Sequence, residues 1–172
     1  MKQFLILLIT VILFGCSTEV KRYHIDELTN KGHKSSQLMY SEDGLFNGIG
    51  YDVYDNGELS KEGNYKDGKK DGLWKGWYYY NGQLQYEWNY KDGKQNGLGK
   101  FYYPNGSLTE GNYKDGEKNG LWKTYDENGQ LEEKGNYKDG YREGVWRNYD
   151  EKGKLTSEWE WKNDKILDHK LY

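Results

Sequence analysis

The feature that most constrains this chain is repetition: from about residue 32 onward one motif returns every 24 residues or so. Its fullest copy runs Gly111-Asn112-Tyr113-Lys114-Asp115-Gly116, continues through Gly120-Leu121-Trp122, and ends on Asn128-Gly129-Gln130-Leu131. Near-identical copies open at Gly63 and Gly135, and looser ones at Leu38, Trp88 and Trp159. The aromatic ahead of each first turn falls at Tyr40, Tyr65, Tyr90, Tyr113, Tyr137 and Trp161, in steps of 25, 25, 23, 24 and 24. The turn glycines at 57, 82, 106, 129 and 153 keep the same beat. A chain with such a period is built by stacking one supersecondary unit on the next.

Alternation defines the unit. In Leu131-Glu132-Glu133-Lys134-Gly135-Asn136-Tyr137, residues 131, 133, 135 and 137 share one face and 132, 134 and 136 the other, which predicts a strand with one wet face. Lys138-Asp139-Gly140 and the following Gly144 bracket a turn, because glycine accepts positive φ. A second strand, Val145–Tyr149, returns, and Asn-Gly pairs at 56–57, 81–82, 105–106 and 128–129 close the other end. Every connection is too short for a crossover, so successive strands are expected to be antiparallel neighbours in one meander. The predicted fold is all-β: an elongated single-layer antiparallel sheet of about five 24-residue hairpins, with roughly ten or eleven strands spanning about 50 Å.

A thin sheet needs large side chains to bury. With 34% hydrophobic residues but 18 Tyr and 7 Trp, the aromatics must supply that area. Glycine at 63, 111 and 135 is replaced by Trp88 and Trp159 in the other units, which predicts holes covered by neighbouring rings and an aromatic ridge of Tyr65, Trp88, Tyr90, Tyr113, Tyr137 and Trp161. Gly76-Trp77-Tyr78-Tyr79-Tyr80 carries one extra residue, predicting a bulge or longer turn. The pattern fails at Ile166, so residues 166–172 are expected to cap the last strand.

The first residues belong to another kind of sequence. Lys2 precedes an apolar run from Phe4 to Phe14, the length of a secretory leader's core and too short for a membrane span. Leu13-Phe14-Gly15-Cys16 resembles a bacterial lipoprotein lipobox, and Cys16 is the only cysteine. The resemblance implies a leader over residues 1–15, a lipid on Cys16, and a mature protein held on the outer side of a membrane in a bacterial envelope. A polar tether then covers residues 16–31 and the repeats 32–165.

Catalytic chemistry finds no footing in the sequence. His24, His33 and His169 match no metal-ligand spacing and read as surface residues. Asp67-Gly68-Lys69-Lys70-Asp71-Gly72 lacks the closing glutamate of a calcium loop and reads as a turn. Glu62, Glu87, Glu110, Glu133 and Glu158 recur through the repeats; a catalytic carboxylate pair would be singular, so these are expected to be cross-strand charge partners. With 25 Lys and Arg interspersed among 28 Asp and Glu, no basic patch marks a nucleic-acid partner. No catalytic residue, metal or cofactor is assigned.

The string Gly-Asn-Tyr-Lys-Asp-Gly-x-x-x-Gly-x-Trp-x-x-Tyr followed by Asn-Gly-x-Leu resembles the bacterial variant of the MORN repeat, in the arrangement of the YwqK-like family described as antitoxins. It covers roughly residues 38–165. The resemblance implies an elongated sheet that binds protein partners or lipid surfaces. Trp77, Tyr78, Tyr79, Trp88 and Tyr103 stand where the pattern is broken or doubled and are the candidate contact surface. The expected partners are the membrane, through Cys16, and an envelope protein. The alternative is a cell-wall or glycan-binding module that uses the same exposed rings. An open strand edge near Leu38 would allow self-association.

Overall fold

The computed structural model describes residues 20–30, 39–41 and 44–172. The leader, Cys16, Gly32, His33 and Leu38 lie outside them, and with them the expectations about processing, lipid and the Leu38 edge.

The repeats form the antiparallel meander. The strands are β1 (Arg22–His24), β2 (Thr29–Asn30), β3 (Met39–Ser41), β4 (Gly44–Leu45), β5 (Gly48–Val53), β6 (Leu59–Lys66), β7 (Lys69–Trp77), β8 (Leu84–Lys91), β9 (Lys94–Tyr102), β10 (Leu108–Lys114), β11 (Glu117–Tyr125), β12 (Leu131–Lys138), β13 (Tyr141–Tyr149), β14 (Leu155–Lys162) and β15 (Lys165–Leu171). One twelve-stranded sheet runs β1-β5-β6 and onward in chain order to β15, while β2, β3 and β4 make a small separate sheet. From β5 onward every pairing is antiparallel, and β15, the expected cap, joins the sheet edge to edge with β14.

The N-terminal end departs from the sequence reading. Residues 20–30 were expected to belong to the tether, yet β1 pairs parallel with β5, placing Arg22 opposite Ile49 and His24 opposite Tyr51. The pairing is stabilised by burial. Leu28 and Phe46 form a cluster with Tyr65 and Trp74, against which Tyr23, Ile25, Met39 and Tyr90 pack. Polar composition hid these few apolar residues, whose partners lie in the first repeat.

The turns at the two ends of the hairpins differ in kind. Asp67-Gly68, Asp92-Gly93, Asp115-Gly116 and Asp139-Gly140 have positive φ at both residues, the signature of a type I′ hairpin turn. In the Asn-Gly turns only the glycine is left-handed, and its N–H donates to the carbonyl three residues earlier, as from Gly57 to Tyr54 at 2.8 Å and from Gly106 to Tyr103 at 2.9 Å. The expected extra residue after Gly76 widens one of these turns, so that Gly82 N–H reaches back to Tyr78. A register shift between Gly76 and Trp77 has counterparts at the β5–β6, β11–β12 and β13–β14 ends but not at β9–β10, so it does not depend on the extra residue.

Gly72, Gly97, Gly120 and Gly144 do not close turns. They lie inside β7, β9, β11 and β13 with positive φ. Gly63 faces Trp74 but Tyr65 faces Lys70, so two steps along β6 match four along β7: the second glycine makes a bulge. Alternation cannot distinguish a glycine that ends a strand from one that kinks it.

Three hairpins fill their own hole. Trp74, Trp122 and Trp146 are buried, and their rings lie directly over Gly63, Gly111 and Gly135, where any Cβ would collide with the indole. Their Nε1–H groups donate to the carbonyls of Asn64, Asn112 and Asn136 at 2.9, 3.1 and 3.1 Å. Burial and a satisfied polar handle come from one side chain. Tyr65, Tyr113 and Tyr137 meet these indoles edge-on, with centroids 5.1 to 5.2 Å apart. The aromatic ridge therefore exists, and the second-strand tryptophans are its filling.

Candidate functional site

A cation completes most of the units. Lys70 Nζ sits 4.0 Å above the Trp74 ring, Lys118 Nζ 4.2 Å above Trp122, and the Arg142 guanidinium 4.1 Å above Trp146. Burial, with Lys61 nearby, pushes the Lys70 ammonium down to about 8.

The β8–β9 hairpin breaks this design in two places. Its glycine and tryptophan are exchanged, so that Trp88 on β8 faces Gly99 on β9, and Gln95 stands opposite Tyr90 where Lys70 and Lys118 face Tyr65 and Tyr113. Because Gly99 also pairs with Gly111, two glycines lie side by side between Trp88 and Trp122. The result is a cleft of about 290 Å³, walled by Trp88, Tyr113 and Trp122, with Phe101, Tyr103 and Lys118 at its rim. Tyr113 reaches over Gly99 and covers part of the gap.

The five candidate rings fall into two neighbouring groups. Trp88 is stacked on Tyr86 with centroids 3.9 Å apart and forms one wall of the cleft. Tyr103 lines the same cleft, packs 4.8 Å from Phe101 and is 42% exposed. The others surround the widened turn. Trp77 is partly buried and its carbonyl accepts from the Tyr54 hydroxyl. Tyr79 is exposed and meets Tyr54 edge-on at 5.1 Å. Tyr78 donates to the Tyr102 carbonyl at 2.9 Å, and burial, with Tyr80 and Tyr103 close by, raises its hydroxyl. Tyr78 thus bridges the tyrosine shelf to the cleft.

Sequence reasoning missed Phe101, Tyr113, Lys118 and Trp122 as part of this site. A signal existed: the exchange of Gly and Trp between positions 88 and 99 predicts adjacent glycines once the register is known. Cys16 lies outside the described residues. His24 approaches Asp52 at 3.4 Å and His169 stacks on Trp159, and among the described residues no three His, Cys, Asp or Glu side chains converge to hold a metal ion.

The opposite face is a ladder of charge. Glu62, Lys75, Glu87, Lys100, Glu110 and Lys123 oppose one another in succession across the strands, with Lys75–Glu87 at 3.3 Å and Lys100–Glu110 at 3.8 Å. These glutamates are charge partners, as their spacing implied. Glu133 is not their equivalent. Lys134 occupies that place, one residue on, and Glu133 bonds Arg142 on the aromatic face. Lys123, Lys134 and Arg147 therefore follow one another, and only at Glu158, 2.7 Å from Arg147, does alternation resume. Leu73, Leu98, Leu121 and Val145 stand exposed, one on each of β7, β9, β11 and β13.

A model of the MORN repeat variant matches residues 46–67, 70–92, 95–115, 118–139 and 142–163. Each matched segment takes the second strand of one hairpin and the first of the next, so the tryptophan-filled hairpins straddle its boundaries. No curated protein matches the chain.

Proposed function

Since the chain belongs to the family of MORN repeat variants, whose repeats commonly mediate protein or membrane interactions, we propose that it is a non-catalytic recognition scaffold of a bacterial envelope. In this reading a lipid on Cys16 holds it to the membrane, and the aromatic face of the second hairpin takes up a protein partner. The observation that carries the reading is the cleft at Gly99 and Gly111: a regular array has one unit whose filling is missing, and exposed tyrosines lead into it. Apolar walls beside a cation suit an inserted aromatic or aliphatic side chain with an acidic neighbour.

The test is affinity capture from detergent-solubilised envelopes with the wild-type chain and a Tyr79→Ala/Tyr103→Ala variant, whose changes fall on exposed rings. A protein retained by the wild type and lost from the variant is the expected result. Identical capture by both, or none above a tag-only control, removes the reading. The flat, stacked Trp88–Tyr86 pair favours glycan as the second reading, since sugar rings lie on such faces. Co-sedimentation with isolated peptidoglycan that the double variant abolishes would put it first. The anchor is tested apart, by N-terminal mass spectrometry of wild type and Cys16→Ser: acyl mass at Cys16, and release of the variant from membranes, are expected.

A further inference from the structure

The two ends of the sheet are finished differently. At one, β1 and the Leu28–Phe46 cluster cover β5. At the other, all seven residues of β15 are exposed, and Ile166, Leu167, Leu171 and Tyr172 present apolar surface beside an unpaired edge. Exposed edges are usually blunted by proline, bulges or short length. β15 has no proline, and its one bulge, at Leu167, where a single step of β14 from Glu160 to Trp161 matches two of β15, leaves residues 168–171 regular.

Its backbone is turned for pairing. Tyr172 N–H donates inward to the Thr156 carbonyl, so the neighbouring His169 and Leu171 carry their N–H and C=O outward. His169 N–H finds only the adjacent Asp168 carboxylate, at 2.8 Å.

We propose that β15 pairs antiparallel with β15 of a second copy about a two-fold axis at His169, joining two sheets into one of twenty-four strands. The side chains select this register. It sets Asp168 against Lys170 twice, with His169 meeting its counterpart on the axis, and brings Ile166 and the bulged Leu167 up to Tyr172 and Leu171 of the other copy. Moving the axis to Asp168 would bring the two aspartates together and set Ile166 against Lys170. Asp168 and Lys170 lie on the charged face, opposite Glu160 and Glu158 of their own chain, so the pairing continues the ladder across the junction. An isologous contact of this kind closes on itself.

The experiment is sedimentation velocity of the full chain carrying Cys16→Ser, so that no acyl chain drives association. A dimer is expected. Asp168→Lys and Lys170→Asp should each weaken it at least about tenfold, because like charges then face across the junction. The combined Asp168→Lys/Lys170→Asp exchange should restore it. Leu171→Lys, at a residue 71% exposed, should weaken it with tryptophan fluorescence unchanged. A monomeric wild type overturns the proposal, as does a dimer indifferent to the single charge changes. If β15 is instead protected from hydrogen exchange only after envelope extract is added, its occupant is another protein's strand, and the two-copy reading fails.

Discussion

At the scale of single residues, the glycine and tryptophan of a hairpin are one part in two pieces. Gly111→Trp should unfold the third hairpin, since a Cβ alone at that position meets the Trp122 ring, and Trp122→Gly should leave a cavity costing about 3 to 5 kcal/mol. The pair Gly111→Trp/Trp122→Gly should recover much of the loss, because Trp88 and Gly99 already use that exchange. Urea denaturation of both singles and the double gives the coupling energy; additive losses would refute the interpretation. Lys70 predicts a pH dependence. Its ammonium titrates near 8 in the fold against 10.5 in the open chain, so between these values the unfolded state holds the extra proton and stability rises with pH. Tyr65 and Tyr90, pushed by burial to about 12, keep their protons where the unfolded chain loses them, so stability falls above pH 10. Lys70→Met should abolish the rise and spare the fall, as read from urea midpoints across that range.

At the scale of elements, the Asp-Gly turns set the hairpins and also join them. Gly93 N–H donates to the Lys70 carbonyl, Gly116 to Gln95 and Gly140 to Lys118, each one repeat back. Gly116→Ala puts a side chain at φ +97 and is expected to cost about 1 to 2 kcal/mol, whereas Asp115→Asn, a residue equally at home in the left-handed region, should be nearly neutral; thermal denaturation separates the two. Much of this was legible beforehand. Alternation in residues 131–137 revealed the strands, and the glycine-for-tryptophan replacements revealed the holes. Hidden were the features that depend on register: which tryptophan fills which hole, that Gly120 bulges where Gly116 turns, and that Lys134 replaces a glutamate in the charge row. The cleft was half legible. Trp88 and Tyr103 announced themselves as irregular, but Trp122 looked like any other repeat tryptophan until Gly99 was seen beside Gly111.

At the scale of the molecule, stability is expected to be uneven from end to end. Phe46, 1% exposed within the β1 cap, lies in the nearest thing to a conventional core, and Phe46→Ala should cost about 3 to 5 kcal/mol. Ile166→Ala, on the open strand, should change chemical stability by less than about 0.5 kcal/mol. Equal effects in urea titrations would mean that the sheet unfolds without regard to its ends. The interior has a further consequence at the level of the gene. Because Trp74, Trp122 and Trp146 each lie over a glycine of their own hairpin, such an interior unit brings its own packing and needs no distant partner. Unequal exchange between the near-identical stretches at Gly63, Gly111 and Gly135 would add or drop whole hairpins in frame, changing the reach of the sheet by about 10 Å at a time. Length is then a quantity that inheritance can adjust without redesign, and only the two terminal strands are irreplaceable.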